Sequence, residues 1–206
     1  MRDTPFPVTG VLLAGGRGSR MGGEDKGLIP LAGKPMAETV LARLAPQVHD
    51  IIISANRHAA DYAALGHPVV ADRIEGLPGP LAGLHAAMRS TVDEWIVSVP
   101  CDTPFLPFDL VARLIGALHH APAPLAVAAA AGRTHPVFCL CRTTLADDLE
   151  TYLTAGGRKV SEWQCRHRAV VVDFSHPDAF ANINTPEERL AAEQKMTASP
   201  PCHTPR

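Results

Sequence analysis

Between Leu13 and Gly27 the chain carries six glycines, Gly15, Gly16, Gly18, Gly22, Gly23 and Gly27, and three cations, Arg17, Arg20 and Lys26. Glycine lets peptide N–H groups turn inward around an anion with no side chain in the way. Cationic side chains beside such a hollow suit a triphosphate. A flexible surface loop is the plain alternative, but the segment directly follows an apolar run, Val8 to Ala14, and binding loops are commonly set on such elements. Two familiar phosphate loops fail. The dinucleotide fingerprint Gly-x-Gly-x-x-Gly meets Met21 at its last glycine, and the second strand ends in Ala55-Asn56 rather than an acidic residue. A P-loop would need Ser or Thr after Gly33-Lys34, where Pro35 stands, and a glycine where Leu28 stands.

Chemistry at a phosphate also needs a counter-charge. Magnesium takes carboxylate and phosphate oxygens and fills its octahedron with waters. Asp102 follows the fourth expected strand, with Pro100 and Pro104 restricting the backbone around it, and Asp72 follows the third. Either carboxylate could instead cap a helix or form a turn. Asn56 ends the second strand, and its amide offers a donor and an acceptor to a base edge or a ribose. A turn residue would look the same. Leu81 opens a helix and could simply sit in the core.

These residues need a scaffold, and the apolar patterning supplies one. Val8 to Ala14, Ile51 to Ile53, Val69 to Ala71 and Trp95 to Val99 read as short buried strands. Between and after them, Met36, Val40, Leu41 and Leu44, then His58 to Leu65, then Pro80 to Met88, then Leu110 to Leu118 read as helices. Alternation of this kind predicts a single-domain α/β fold, a mostly parallel Rossmann-like sheet with helices on both faces. Ligands of such sheets bind beyond the carboxyl ends of the strands. The loops after Ala14, Ile53, Ala71 and Val99 should therefore share one rim. The last third is less regular: strands Leu125 to Ala131 and His135 to Cys141 around Gly132-Arg133, a helix marked by Leu145, Leu149, Tyr152 and Leu153, and a strand Val170 to Val172. Thr185, Pro186 and Glu188 spell the capping box of a closing helix.

Composition removes several classes of function. The chain has 206 residues and a formal charge of −2, so no broad basic field invites nucleic acid or an anionic membrane. Nothing approaches a membrane span or a secretory leader. Five cysteines, Cys101, Cys139, Cys141, Cys165 and Cys202, form no spaced framework, which points to a reducing cytoplasm. Cys139 and Cys141, two apart, share one strand face as small apolar residues rather than as a metal pair. The ten histidines are scattered.

Leu13-Ala14-Gly15-Gly16, Arg20-Met21-Gly22-Gly23 and Asp25-Lys26-Gly27-Leu28 together resemble the signature of the molybdenum cofactor guanylyltransferases. Ser54-Ala55-Asn56-Arg57-His58, Pro78-Gly79-Pro80-Leu81-Ala82-Gly83, Pro100-Cys101-Asp102-Thr103-Pro104 and Asn182-Ile183-Asn184-Thr185-Pro186-Glu187 extend the likeness in the family's order, from about Thr9 to Leu190. The resemblance implies a nucleotide-diphospho-sugar transferase-like fold, assigned to residues 1–196; the tail 197–206, with three prolines and no apolar periodicity, reads as disordered. It implies transfer of GMP from GTP to molybdopterin, with or without molybdenum, in the cytoplasm. Arg20, Lys26 and Asp102 would be catalytic, and Asp102 would hold Mg2+. Leu13, Ala14, Gly15, Gly16, Gly18, Asn56, Asp72 and Leu81 would meet the nucleotide. Arg158, Lys159, Asn182 and Asn184 are candidates for gripping the acceptor's phosphate, although Arg158-Lys159 could be a solvated helix start. A monomer is expected, with molybdenum-insertion proteins and molybdoenzyme chaperones as partners. Guanine over cytosine rests on Leu13-Ala14-Gly15-Gly16, where the related cytidylyltransferases tend to show Leu-Ala-Ala-Gly, and on the Gly22-Gly23 pair. A cytidylyltransferase, a sugar-phosphate nucleotidyltransferase and a non-catalytic nucleotide-binding module are the rivals.

Overall fold

The computed structural model describes residues 6–14, 25–74, 76 and 79–198. In chain order the elements are β1 (Val8–Leu13), β2 (Pro30–Leu31), β3 (Lys34–Pro35), α1 (Met36–Leu44), β4 (Asp50–Ser54), α2 (Ala59–Ala63), β5 (Val69–Val70), α3 (Pro80–Met88), β6 (Trp95–Pro100), α4 (Leu110–His120), β7 (Leu125–Ala130), β8 (Arg133–Arg142), α5 (Ala146–Thr154), α6 (Val160–Arg166), β9 (Val170–Phe174) and α7 (Pro186–Ala198). Seven strands form one sheet in the order β5-β4-β1-β6-β8-β7-β9, and β2 and β3 form a small hairpin apart from it. β8 alone runs antiparallel to its neighbours in that sheet. The sheet is therefore mostly parallel, as the strand–helix alternation requires.

Successive strand residues point to opposite faces, so a strand buried on both sides must be apolar throughout. Ile51, Ile53, Leu12 and Val97 pack under α1 and α4, while Ile52, Val11 and Ile96 pack under α3, α5 and α6. Two cores result, one on each face. Trp163 anchors the second core with its ring fully buried and its indole N–H donating to Asp148 at 2.9 Å. A third, smaller cluster of Ile29, Leu31, Met36, Ile183 and Ala192 fixes α7 against the β2–β3 hairpin.

Three local features depart from the sequence-based expectation. The turn between β7 and β8 is Ala131-Gly132, with φ of 49° and 73°. Two central residues at positive φ match the right-handed twist of a hairpin, and glycine carries the second of them without strain. Arg133 thus begins β8 instead of turning. Next, the β7–β8 ladder jumps from Ala128 opposite His135 to Val127 opposite Cys139, skipping residues 136–138. Pro136 has no N–H to offer the ladder. The carbonyls left over are satisfied from outside it: Gln164 donates to Pro136 O at 2.7 Å and Ser98 to Val137 O at 2.5 Å. Gln164 belongs to α6, a helix too short to give a clear apolar period.

The closing helix begins as its sequence dictates. Glu188 N donates to Thr185 Oγ1 at 3.2 Å, and Glu188 Oε2 accepts from Thr185 N at 3.1 Å and from Asn184 N at 2.6 Å. The helix runs to Ala198, two residues past the expected boundary, and the rest of the expected tail lies outside the described residues. Because this box also holds the backbone of Asn184, it ties the helix start to the rim described below. Thr185→Ala and Glu188→Ala should each lower stability by about 1 kcal/mol. In denaturant unfolding the double variant should lose less than the sum, since the two bonds share one cap.

Candidate active site

Parallel pairing of β5, β4, β1 and β6 brings their carboxyl ends to one edge. The ladder continues just past each strand: Ala14 N donates to Ser54 O at 2.8 Å, Ala55 N to Val70 O at 2.9 Å, and Cys101 N to Leu13 O at 3.1 Å. These bonds fix where Ala14, Asn56, Asp72 and Asp102 leave the sheet. Gly15, Gly16, Gly18 and Arg20, the core of the expected phosphate loop, lie outside the described residues.

On this rim Lys26 Nζ sits 3.3 Å from Asp102 Oδ2 and also donates to Asn184 Oδ1. Asn182 Nδ2 donates to Asp102 Oδ1 at 2.9 Å, and Ile183 N to Asp102 O at 2.9 Å. Four residues drawn from three distant stretches of chain therefore meet at one point. Side-chain exposures of 22% for Lys26 and 11% for Asp102 leave both groups partly covered yet reachable. Such a pair adds little net stability, because desolvation offsets most of the attraction. Its effect is to hold an ammonium and a carboxylate together at the mouth of the sheet.

Asp25 carries no assigned role in the sequence reading, although it is the residue next to Lys26. Its Oδ1 accepts from Gly27 N at 3.2 Å, capping the 3₁₀ turn Lys26–Leu28, and from Tyr62 Oη at 2.5 Å. The signal was an aspartate two residues before a glycine N–H, a common side-chain-to-backbone turn. Tyr62 gave no signal, since a tyrosine in an alanine-rich helix reads as core. Burial above all pushes its phenol far above the ordinary range, and burial does the same to the Cys101 thiol, so both stay protonated.

Toward β5, Asn56 and Asp72 face each other. Asn56 Nδ2 donates to Asp72 Oδ2 at 2.7 Å, and Asp72 N donates to Asn56 Oδ1 at 2.8 Å. Burial raises the Asp72 pKa, partly opposed by the Asn56 amide. Leu81 is buried in the core under α3. Two residues on, a Cβ at Gly83 would stand 2.4 Å from Ser54 Oγ, so the start of α3 lies tight against the end of β4.

Arg158 and Lys159 do not join the Lys26 cluster. Arg158 Nη1 donates to Leu153 O at 2.8 Å and to Gly157 O, closing the end of α5. Lys159 is the N-cap position of α6 and pairs with Glu162 at 3.3 Å. On the other side of Asn182 and Asn184 opens a cleft of about 610 Å³ lined by Arg133, His135 and Phe180 among others. His135 stacks on Phe180 with ring centres 4.7 Å apart. Burial, then the nearby Arg133 cation, lowers the His135 pKa, leaving a neutral ring. None of these three residues stood out in the sequence. Among the described residues no group of three or more His, Cys, Asp or Glu converges as a metal cage, and no helix is long and apolar enough to cross a membrane.

The chain matches the family of MobA-like NTP transferase domains over residues 10–170. The molybdenum cofactor guanylyltransferase of Cupriavidus taiwanensis is 49% identical over 193 residues, which span 91% of this chain and 97% of that protein. That of Burkholderia ambifaria is 48% identical over 205 residues, 95% of this chain and all of the relative. Among solved structures, molybdopterin-guanine dinucleotide biosynthesis protein A of Archaeoglobus fulgidus superposes with a TM-score of 0.75 at 24% identity, covering 93% of this chain and 100% of its own. A 4-diphosphocytidyl-2C-methyl-D-erythritol synthase from Anaerococcus prevotii gives a TM-score of 0.72 at 12% identity, covering 93% and 96%. These likenesses show the fold, the nucleotide-diphospho-sugar transferase arrangement that the family resemblance implies. With most of its length matched by the family and half its residues shared with these relatives, the chain belongs to the MobA-like NTP transferases.

Proposed function

We propose that this protein transfers GMP from GTP to molybdopterin, forming molybdopterin guanine dinucleotide and releasing pyrophosphate. The observation that carries the reading is the meeting of Lys26, Asp102, Asn182 and Asn184 on the carboxyl rim of a mostly parallel sheet. Both close relatives are named for guanylyl transfer in molybdenum cofactor synthesis.

The acceptor's terminal phosphate attacks the α-phosphorus of GTP. One P–O bond forms, the bond to the β-phosphate oxygen breaks, and pyrophosphate carries the charge away. The nucleophile is already an anion at neutral pH, so orientation and charge neutralisation dominate over general-base help. Lys26 places a fixed cation beside the phosphates, and the glycine-rich composition around Gly15, Gly16, Gly18 and Arg20, which lie outside the described residues, would suit further donors. Asn56 and Asp72 offer a paired donor and acceptor edge to the nucleoside, next to the backbone at the start of α3 where Leu81 is anchored. Asn182 and Asn184 stand between Asp102 and the 610 Å³ cleft, which suits the acceptor. Arg158 and Lys159 would reach an anion only by releasing the carbonyls and the carboxylate that they now hold.

Magnesium fits this donor set in one respect: Asp102 is a hard oxygen donor at the mouth of the site, and a single carboxylate is enough when phosphates and waters complete the octahedron. Bound there, the ion would neutralise charge developing on the phosphates. Asp102 would hold it, and Lys26, now 3.3 Å from that carboxylate, would turn toward the triphosphate.

Lys26→Ala and Asp102→Ala should each cut turnover by about 10²–10³-fold, with circular dichroism and melting close to the parent. Full activity in a folded Asp102→Ala protein would remove its assignment. A mass spectrum after incubation with Mg-GTP and molybdopterin should show the guanine dinucleotide. In thermal shift with magnesium, GTP at a hundred times its Kd should stabilise the protein by about 2.7 kcal/mol over the nucleotide-free state, and by more than CTP or UTP at the same concentration. A larger shift with CTP would favour the cytidylyltransferase reading instead.

A further inference from the structure

Lys26 has to be held in place by something, and its own ion pair with Asp102 is the contact that a substrate would disturb. Behind it lies a buried junction of three segments. Tyr62, on α2, is fully buried, and its hydroxyl donates to Asp25 Oδ1 at 2.5 Å. The same oxygen accepts from Gly27 N at 3.2 Å. Gly27 is packed so closely that a Cβ there would stand 2.4 Å from Tyr62 Oη and 3.2 Å from Cys101 Cβ and Sγ. Cys101 is buried and adjoins Asp102 in sequence. The turn bearing Lys26, the loop bearing Asp102 and the helix that follows Asn56 thus touch at one point.

We infer that Tyr62 is a positioning residue for nucleotidyl transfer: its buried hydroxyl, acting through Asp25, locks the turn that aims Lys26 at the phosphates. This inference rests on the reading that Lys26 acts on the nucleotide. A phenol donating to a carboxylate makes a charge-assisted bond, roughly twice as strong as a neutral one. Asp25 is 7% exposed, so few waters can replace that donor. Without it the carboxylate is left under-satisfied in the interior and is drawn outward toward solvent. Asp25 is bonded to Gly27 N, so its movement carries the Lys26 turn with it. A displacement of about 1 Å in a reacting constellation costs about 10²-fold in rate. The junction also explains why a glycine stands at 27: its hydrogen is all that the tyrosine oxygen and the cysteine leave room for.

The test uses the full chain with Mg-GTP and molybdopterin, reading turnover and KM for GTP. Tyr62→Phe keeps the ring and removes the hydroxyl. It should lower kcat by about 10–100-fold while KM for GTP changes less than about threefold. In a Lys26→Ala background, followed by single-turnover product formation, the same change should cost less than about twofold, because the group it aims is gone. Asp25→Ala should match Tyr62→Phe, and Asp25→Asn, which keeps an oxygen acceptor, should lose less. Equal losses with and without Lys26 would mean general loosening and would overturn the inference, as would a Tyr62→Phe enzyme within twofold of the parent. If Tyr62→Phe fails to melt cooperatively, the Asp25 pair decides, and equal losses in Ala and Asn reject the lock. An unsubstituted protein that forms no guanylyl product rejects the reaction assignment itself, an outcome separate from an active parent with an unaffected Tyr62→Phe.

Discussion

An ammonium and a carboxylate held 3.3 Å apart at the edge of a sheet are a pair that folding alone has little reason to build. Bringing them together takes charge out of water for almost no net gain. Everything else about the rim is arranged to make that juxtaposition persist. Asp102 receives Asn182 on one carboxylate oxygen and Lys26 on the other, and its carbonyl is held by Ile183 N. Each oxygen of Asp102, the two of its carboxylate and its carbonyl, thereby accepts one hydrogen bond. The site is stable because the sheet and its two cores carry the stability and the rim only has to break even.

That division of labour follows from topology. Parallel strands must deliver their carboxyl ends to one side, and β1, β4, β5 and β6 do so with mostly apolar residues, among which the buried Thr9 and Ser98 have hydrogen-bond partners. The antiparallel β8 then extends the sheet in the other direction, returns β7 to the parallel sense and leaves the β7–β8 turn on the same rim as Asp102. The positive φ of Ala131 and the skipped pairing at Pro136 both fall on this side of the hairpin. The cleft beside Asn182 and Asn184 is made from that irregular corner, with His135 stacked on Phe180. Irregular backbone borders this cleft, and regular ladders lie behind it.

Long-range hydrogen bonds set the chemistry of the rim more than charge does. Asn56 and Asp72 come from consecutive crossovers and meet because β4 and β5 are neighbours. Asp25 and Tyr62 come from either side of α1 and β4 and meet over a glycine that leaves just enough space. Asp25 and Tyr62, both buried and costly to leave unpaired, give each other a partner, whereas Asn56 and Asp72 pair near the surface.

The amino-acid sequence by itself determined most of the elements and their kind, though not the β2–β3 hairpin or the short α6. A run such as Ile51-Ile52-Ile53 can satisfy only a strand covered on both faces, and Thr185, Pro186 and Glu188 can only open a helix, because these are demands of neighbouring residues on one another. It also marked Lys26, Asp102, Asn182 and Asn184 as residues to watch, through short motifs written locally in the chain. Tertiary structure decided which of them touch. It brought Lys26 to Asp102 and Asn184 across 76 and 158 positions, turned Arg158 back onto the end of the preceding helix, α5, and enlisted Tyr62, Arg133, His135 and Phe180. Those choices depend on strand order and on the few ångströms left between packed elements, distances that no local pattern of residue types encodes.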